Sequence, residues 1–278
     1  MNVTGTEWAR VAPGEVVIAT PTRSWLHRPS NPADPFLFPM TAPGTVATTG
    51  RLLDGAIAAG LQADRAGTET PPPLTATRWI WRLISYYHLT THTPGLMAEA
   101  ARRFEAAALP VLAAWAADKA ADEAHHDRLA LRDLAELGYL PGIVAQVPPT
   151  AGRLVAWFRA SVVGADVPWG VLAYAHTVER LALTLGTEAI AAVQAVLPPG
   201  SRAIRCLRVH SALGTDVAHV SDNVEVIAAL PAGRRAAIAL ACREVAALFC
   251  AVPDEGYSND ARLEQGFRAW RATDGGLA

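Results

Sequence analysis

The sequence predicts an all-α protein, and three observations carry that prediction. From residue 51 onward, segments between Pro/Gly breaks repeat their apolar residues at helical spacing. Alternation of apolar and polar residues is almost absent. Ala is abundant throughout a chain in which 51% of residues are apolar. With 278 residues and only 18% charged, the chain can bury a substantial core, as one large domain or as one domain with an N-terminal extension.

The elements follow in order. Within residues 1–50, the stretch 1–45 is rich in Pro, Gly and Thr and holds one short strand-like run, EVVIAT. Residues 1–50 are expected to form an irregular extension, with 51–278 as the helical domain. RLLDGAIAAGLQADR reads as a helix, and PPPL at 71–74 breaks it. TATRWIWRLISYYHLTTH starts a helix with Thr75 or Thr77 as N-cap. PGLMAEAARRFEAAALPVLAAW is expected as another, with Pro94 in its first turn and Pro110 kinking or ending it. The next helix should run from about Leu112 to Leu137, with Gly138 as its C-terminal cap. Residues 151–163 form a short helix closed by Gly164. The stretch from Val167 is one long or broken helix ended by Pro198, Pro199 and Gly200. Ser201 caps SRAIRCLRVHSALG, which Gly214 interrupts. Helices over 215–230, 232–251 and the NDARLEQGFRAWRA stretch complete the chain.

Composition excludes several functions. The net charge is −2, with no basic stripe for nucleic acid or an acidic membrane. Cys206, Cys242 and Cys250 are scattered, without a C-x-x-C pair. Neither a structural zinc site nor a disulfide framework is expected, and a reducing compartment fits. The N-terminus lacks a basic start and a continuous apolar run, so no signal peptide is expected. The most apolar run, 236–252, contains Arg243 and Glu244 and reads as a buried helix rather than a membrane span. The protein is expected to be soluble and cytoplasmic.

Chemistry concentrates in histidines and carboxylates. The eight histidines are His27, His88, His92, His125, His126, His176, His210 and His219. Four carboxylate–histidine pairs have a three-residue spacing: Glu123–His126, Asp122–His125, His176–Glu179 and Asp216–His219. On a helix such a pair shares one face. Mixed carboxylate and imidazole donors suit iron or manganese. DEAHHDR also reads as a solvated helix face with supporting charges. Glu179 lies on the apolar stripe Leu172, Ala175, Leu183, where a carboxylate is costly unless paired or metal-bound. An arginine partner such as Arg82 is the alternative. Glu123 shares a face with Ala130, Leu134 and Leu137.

The segment DEAHHDRLALRDLAELG resembles the E-x-x-H-D…D-L…L-G signature of haem-oxygenase-like di-iron oxidases. The resemblance continues upstream in WRLISYYHLTTHTPGLMAEAARRF and downstream in AYAHTVERLALTLG and VHSALGTDVAHVSDNVEVIAALP. It covers roughly residues 75–250 and implies a seven-helix bundle shared with haem oxygenase and thiaminase-like proteins. Residue by residue, it implies Glu123 and His126 as metal ligands from one core helix, Glu179 from a second, and His210, Asp216 and His219 from a third. Two ferrous ions per chain, with dioxygen as co-substrate, follow from it. Two departures stand out. Many members carry a carboxylate where this chain has Lys119. The usual third-helix histidines are seven apart, whereas His210 and His219 are nine apart and share a side only if the helix breaks at SALGT. Asp222 is a reserve ligand.

Tyr87, His88, His92 and His176 are expected to line a substrate pocket, with helix packing as the competing reading. His176 could instead donate to Glu179. The implied activity is an iron-dependent oxidase or oxygenase acting on a small amine or amino-acid-like molecule in natural-product biosynthesis. N-oxygenation and oxidative C–C cleavage are the two outcomes. The alternative is a metal-free small-molecule binder, a cofactor-independent oxidase or a degenerate partner protein of the same fold. Dimers are frequent among similar proteins, so a homodimer is a further expectation.

Overall fold

The computed structural model describes residues 5–63, 72–139, 141–211, 216–250, 258–268 and 271; of Ala63, Pro141, Ile143, Asp216, Val217, Ala218 and Cys250 it describes the backbone alone. Three strands come first: β1 (Glu7–Ala12), β2 (Glu15–Ala19) and β3 (Ser24–His27). The described helices are α1 (Val46–Ala63), α2 (Ala76–Ala106), α3 (Pro110–Asp122), α4 (Asp127–Glu136), α5 (Pro149–Val163), α6 (Gly170–Ala182), α7 (Thr187–Val196), α8 (Arg205–Val209), α9 (Asp216–Ala228), α10 (Ala232–Cys250) and α11 (Asp260–Phe267). The all-α expectation holds, with one small sheet added. Among the described residues no helix is long and apolar enough to cross a membrane.

The N-terminal segment corrects the expectation of an irregular extension. Its strands pair antiparallel in the order β1-β2-β3, with Trp8 opposite Ile18 and Val17 opposite Leu26. Val16, Val17, Ile18 and Ala19 are all buried. A strand covered on both faces has no polar side to alternate with, so the period-two signal is missing. Gly14 takes φ 71° in the turn between β1 and β2, a conformation that glycine reaches without strain.

The chain divides into two units. One comprises residues 1–68, 168–181 and 217–251. In it α1 packs on both α10 and the sheet. A Cβ at Gly55 would lie 2.6 Å from Val17, so α1 approaches the sheet at backbone distance. A buried ion pair ties this unit together. Arg235, 2% exposed, bonds the Glu7 carboxylate, the Leu230 carbonyl and, at 2.6 Å, the Ala42 carbonyl. The Thr49 hydroxyl donates to the other Glu7 oxygen at 2.7 Å. Every charged atom thus has a partner, the condition under which a buried pair is tolerated.

The other unit comprises residues 69–167, 182–216 and 252–278, built around α2. Thr75 caps that helix, accepting from the Arg78 N–H at 3.2 Å. The expected break near Pro94 does not occur, and α2 runs through it for 31 residues. Proline removes one ladder bond and bends a helix without always ending it. The Thr90 and Thr93 hydroxyls donate back to the Tyr86 and Leu89 carbonyls at 2.8 and 2.9 Å in the turns just before Pro94. Trp79 anchors the core and donates its indole N–H to the Ala203 carbonyl at 2.8 Å.

Replacing Arg235 by Met would strand a buried carboxylate at Glu7. Chemical denaturation should show a loss of about 3 kcal/mol, most of it recovered in the Glu7→Met/Arg235→Met double variant.

Candidate metal centre

The expected helix from Leu112 to Leu137 is two helices. α3 ends at Asp122, the next four residues form a turn, and α4 starts at Asp127. The break carries no glycine or proline. His125 takes φ 72°, a left-handed conformation in which His is among the enriched non-glycine residues. Asp127 follows in the first turn of α4, where a negative charge favours the helix start. Glu123 and His126 therefore meet across a turn rather than along one helix face. The His126 Nδ1–H donates to Glu123 Oε2 at 3.0 Å, and the side chains are 21% and 13% exposed. His125 and Asp122 are exposed. α4 then ends as expected: Gly138 takes φ 80°, and the Tyr139 N–H closes on the Leu134 carbonyl at 3.0 Å.

His210 reaches the same place by a different route. It caps the C-terminal end of α8, a helix of 5 residues. Such a helix is too short to hold itself. Two acids of α4 hold it. Asp133, with a side chain 0% exposed, accepts from the Cys206 backbone N–H at 3.0 Å and pairs with Arg205 at 2.8 Å. Glu136 takes the other arm of Arg205 at 2.5 Å, the Ser201 hydroxyl at 3.0 Å and the Arg202 N–H. Burial pushes the Asp133 carboxyl above its ordinary range, against the pull of the Cys206 N–H and Arg205. The expected Ser201 cap is displaced: Ser201 accepts from the Ala203 N–H at 3.2 Å, and the helix starts later. The clamp sets the His210 ring edge-on to His126, with centroids 4.8 Å apart.

Glu123, His126 and His210 each offer a donor atom, and these atoms lie within 4.8 Å of one another. Two cis donors on a single ion with metal–ligand bonds of about 2.1 Å sit about 3 Å apart. The Glu123–His126 separation of 3.0 Å meets that spacing. Burial opposes ionisation of Glu123, yet the hydrogen bond from His126 and the charges of His210, His126 and Lys119 hold its carboxyl below the usual range. The carboxylate is thus kept in its ligating form. This donor set fits a metal ion.

The other unit carries a second group. Glu179 on α6 is 7% exposed, as its apolar stripe predicts. Its partners include Asn223, whose side-chain amide donates to Oε2 at 2.5 Å, and His219, whose Nδ1 lies 3.8 Å from Oε1. Asn223 is 0% exposed and was missed by sequence reasoning; its four-residue spacing from His219 is the signal that could have found it. Asp222, the reserve ligand, is exposed. The Asp216 side chain and residues 212–215, which include Gly214, lie outside the described residues. His210 follows the end of α8, and His219 lies on α9.

The expected pocket residues do different work. His88 donates from Nε2 to the Gln146 carbonyl at 2.7 Å, and His92 donates from Nδ1 to the His88 carbonyl at 2.7 Å. Tyr87 packs edge-on to His88, with ring centroids 5.4 Å apart. These bonds brace α2. A cleft of about 340 Å³ in the same unit is lined by Trp81, Ile84, Pro148, Arg262 and Phe267 among others, with none of the four. His176 is 1% exposed, and neither ring nitrogen is hydrogen-bonded among the described residues. Burial holds its imidazole down at about 4, with Asp54 pulling weakly upward and Arg180 downward.

Asp133→Ala removes both the helix-start acceptor and the Arg205 partner. It should cost about 3 kcal/mol in urea unfolding and weaken Co(II) uptake by the Glu123/His126/His210 group. For His176 the folded value lies below the unfolded one, so the unfolded chain takes the proton first. Stability is fully present above about pH 6.5 and lost as the pH falls toward 4, by about 3 kcal/mol in all. In His176→Leu that part of the pH dependence should vanish when urea midpoints at pH 7 and pH 4.5 are compared.

Residues 80–249, more than half of the chain, match the family described as iron-containing redox enzymes. No curated protein matches. Among solved structures, the chain is similar to a domain of unknown function with a heme oxygenase-like fold from Shewanella denitrificans OS217. That likeness has 19% identity and a TM-score of 0.60, covering 82% of this chain and 95% of that one. All the ligand candidates named above fall inside the matched range, and the chain belongs to the family of iron-containing redox enzymes with a haem-oxygenase-like fold.

Proposed function

We propose that the protein is a non-haem, iron-dependent oxidase or oxygenase acting on a small amine or amino-acid-like molecule, in natural-product biosynthesis. The observation that carries this reading is the Glu123/His126/His210 group, whose donor atoms lie within 4.8 Å of one another. One carboxylate with two imidazoles is the donor composition of non-haem ferrous oxygenases. Glu179 and His219 would hold a second ion in the other unit. Iron held there supplies the binding and activation of dioxygen, the co-substrate.

The chain's own residues supply the rest. The His126–Glu123 hydrogen bond holds the two side chains side by side at the separation that one ion requires of neighbouring donors. Asn223 fixes one oxygen of Glu179 and leaves the other toward His219. Partial burial of both groups limits water at the donors and strengthens the electrostatics there. Lys119, buried close to Glu123, is the feature that favours the alternative, a metal-free relative that binds a small molecule.

Metal analysis separates the two. Protein loaded anaerobically with ferrous iron should carry about two irons per chain. Glu123→Ala and Glu179→Ala should each lose about one of them. Wild-type protein that stays iron-free under these conditions would establish the metal-free reading instead.

A further inference from the structure

Lys119 is the sole lysine of the chain; every other fixed positive side chain is arginine. It lies in the last turn of α3, and the Glu123 N–H bonds its carbonyl at 3.0 Å. The residue is 4% exposed. Lysine is seldom buried, because an ammonium leaves water only at substantial cost. Glu123 offsets part of that cost, since the two charges act on each other. The charge has a further consequence for the metal group. Glu123 contributes one negative charge and neutral imidazoles contribute none. A divalent ion and an ammonium together outweigh that carboxylate by two unit charges. At a partly buried site such an excess draws in an anion.

We propose that Lys119 makes the Glu123/His126/His210 group an anion-accepting site, its ammonium binding a carboxylate of the substrate beside the bound metal. The proposal rests on the metal reading above and adds the charge of the substrate. A lysine suits this role better than an arginine. Its compact ammonium serves one oxygen as a point charge, whereas a guanidinium needs room for a planar fork. The competing role is purely structural, with the long stem filling space between α2 and α3 and the ammonium completing the end of α3. Lys119→Met keeps the stem and removes the charge, so it distinguishes the two.

The full-length chain is loaded with Co(II) and titrated with sodium acetate, following the visible Co(II) bands. Wild type should bind acetate. Lys119→Met should take up Co(II) undiminished and bind acetate about tenfold more weakly or worse. Because Lys119 is alone in the sequence, protein grown on lysine labelled with ¹³C at Cε gives a single side-chain resonance. In the Zn(II)-loaded protein that resonance should move on adding acetate and stay put on adding neutral acetamide. Equal acetate affinity in wild type and Lys119→Met, with Co(II) retained in both, would overturn the proposal and leave the metal reading standing. An unmoved lysine resonance would do the same even if the variant did not fold. Wild type that takes up no Co(II) would remove both.

Discussion

The Asp133 carboxylate is the interaction on which the Glu123/His126/His210 group depends. It is fully buried, and it reaches from α4 to the start of a helix too short to stand alone. The same helix α4 begins just after His126. One rigid element therefore fixes one histidine at its head and positions a second through its side chain. The geometry of His126 against His210 is inherited from that single strut. Burial works against Asp133 by raising its carboxyl; the ion pair and the backbone N–H keep the strut worthwhile. Cys206 shares the environment, its thiol pushed up first by burial and then by the neighbouring Asp133 and Glu123. It behaves as a buried apolar filler rather than a nucleophile.

The two groups of ligand candidates differ in how their acids are supported. Glu123 is ionised by surrounding positive charge and a histidine N–H. Glu179 is held by a neutral amide and lies near a histidine. A charge-supported carboxylate and an amide-supported one differ in basicity, and ligand basicity tunes the metal each would hold. The two positions are thus chemically unequal before any substrate arrives.

Much of the architecture was legible in the sequence, for local reasons. Thr75, Gly138 and Gly164 mark helix ends because capping is settled within a few residues. The nine-residue interval between His210 and His219 called for a break, and α8 ends at Val209, before His210, while His219 lies on α9. What was not legible is either non-local or lacks a local mark. Asp133 and Arg205 are 72 residues apart, and Glu179 and Asn223 are 44 apart. No periodicity announces such pairings. The turn at His125 has neither glycine nor proline, so helical pattern ran through it unbroken. Pro94 misled in the opposite sense, because a proline can bend a helix without ending it, and α2 runs on to Ala106. The doubly buried β2 concealed a sheet behind an apolar run.

The left-handed turn at His125 also has a mechanical corollary. Glu123 grips from the end of one helix and His126 from the threshold of the next, so a cation shared by them would act as a rivet across a joint. Ligand that binds only the assembled joint adds to folding free energy through mass action. Thermal endurance would then rise and fall with the iron supply around the protein, and scarcity would loosen the bend at His125 first.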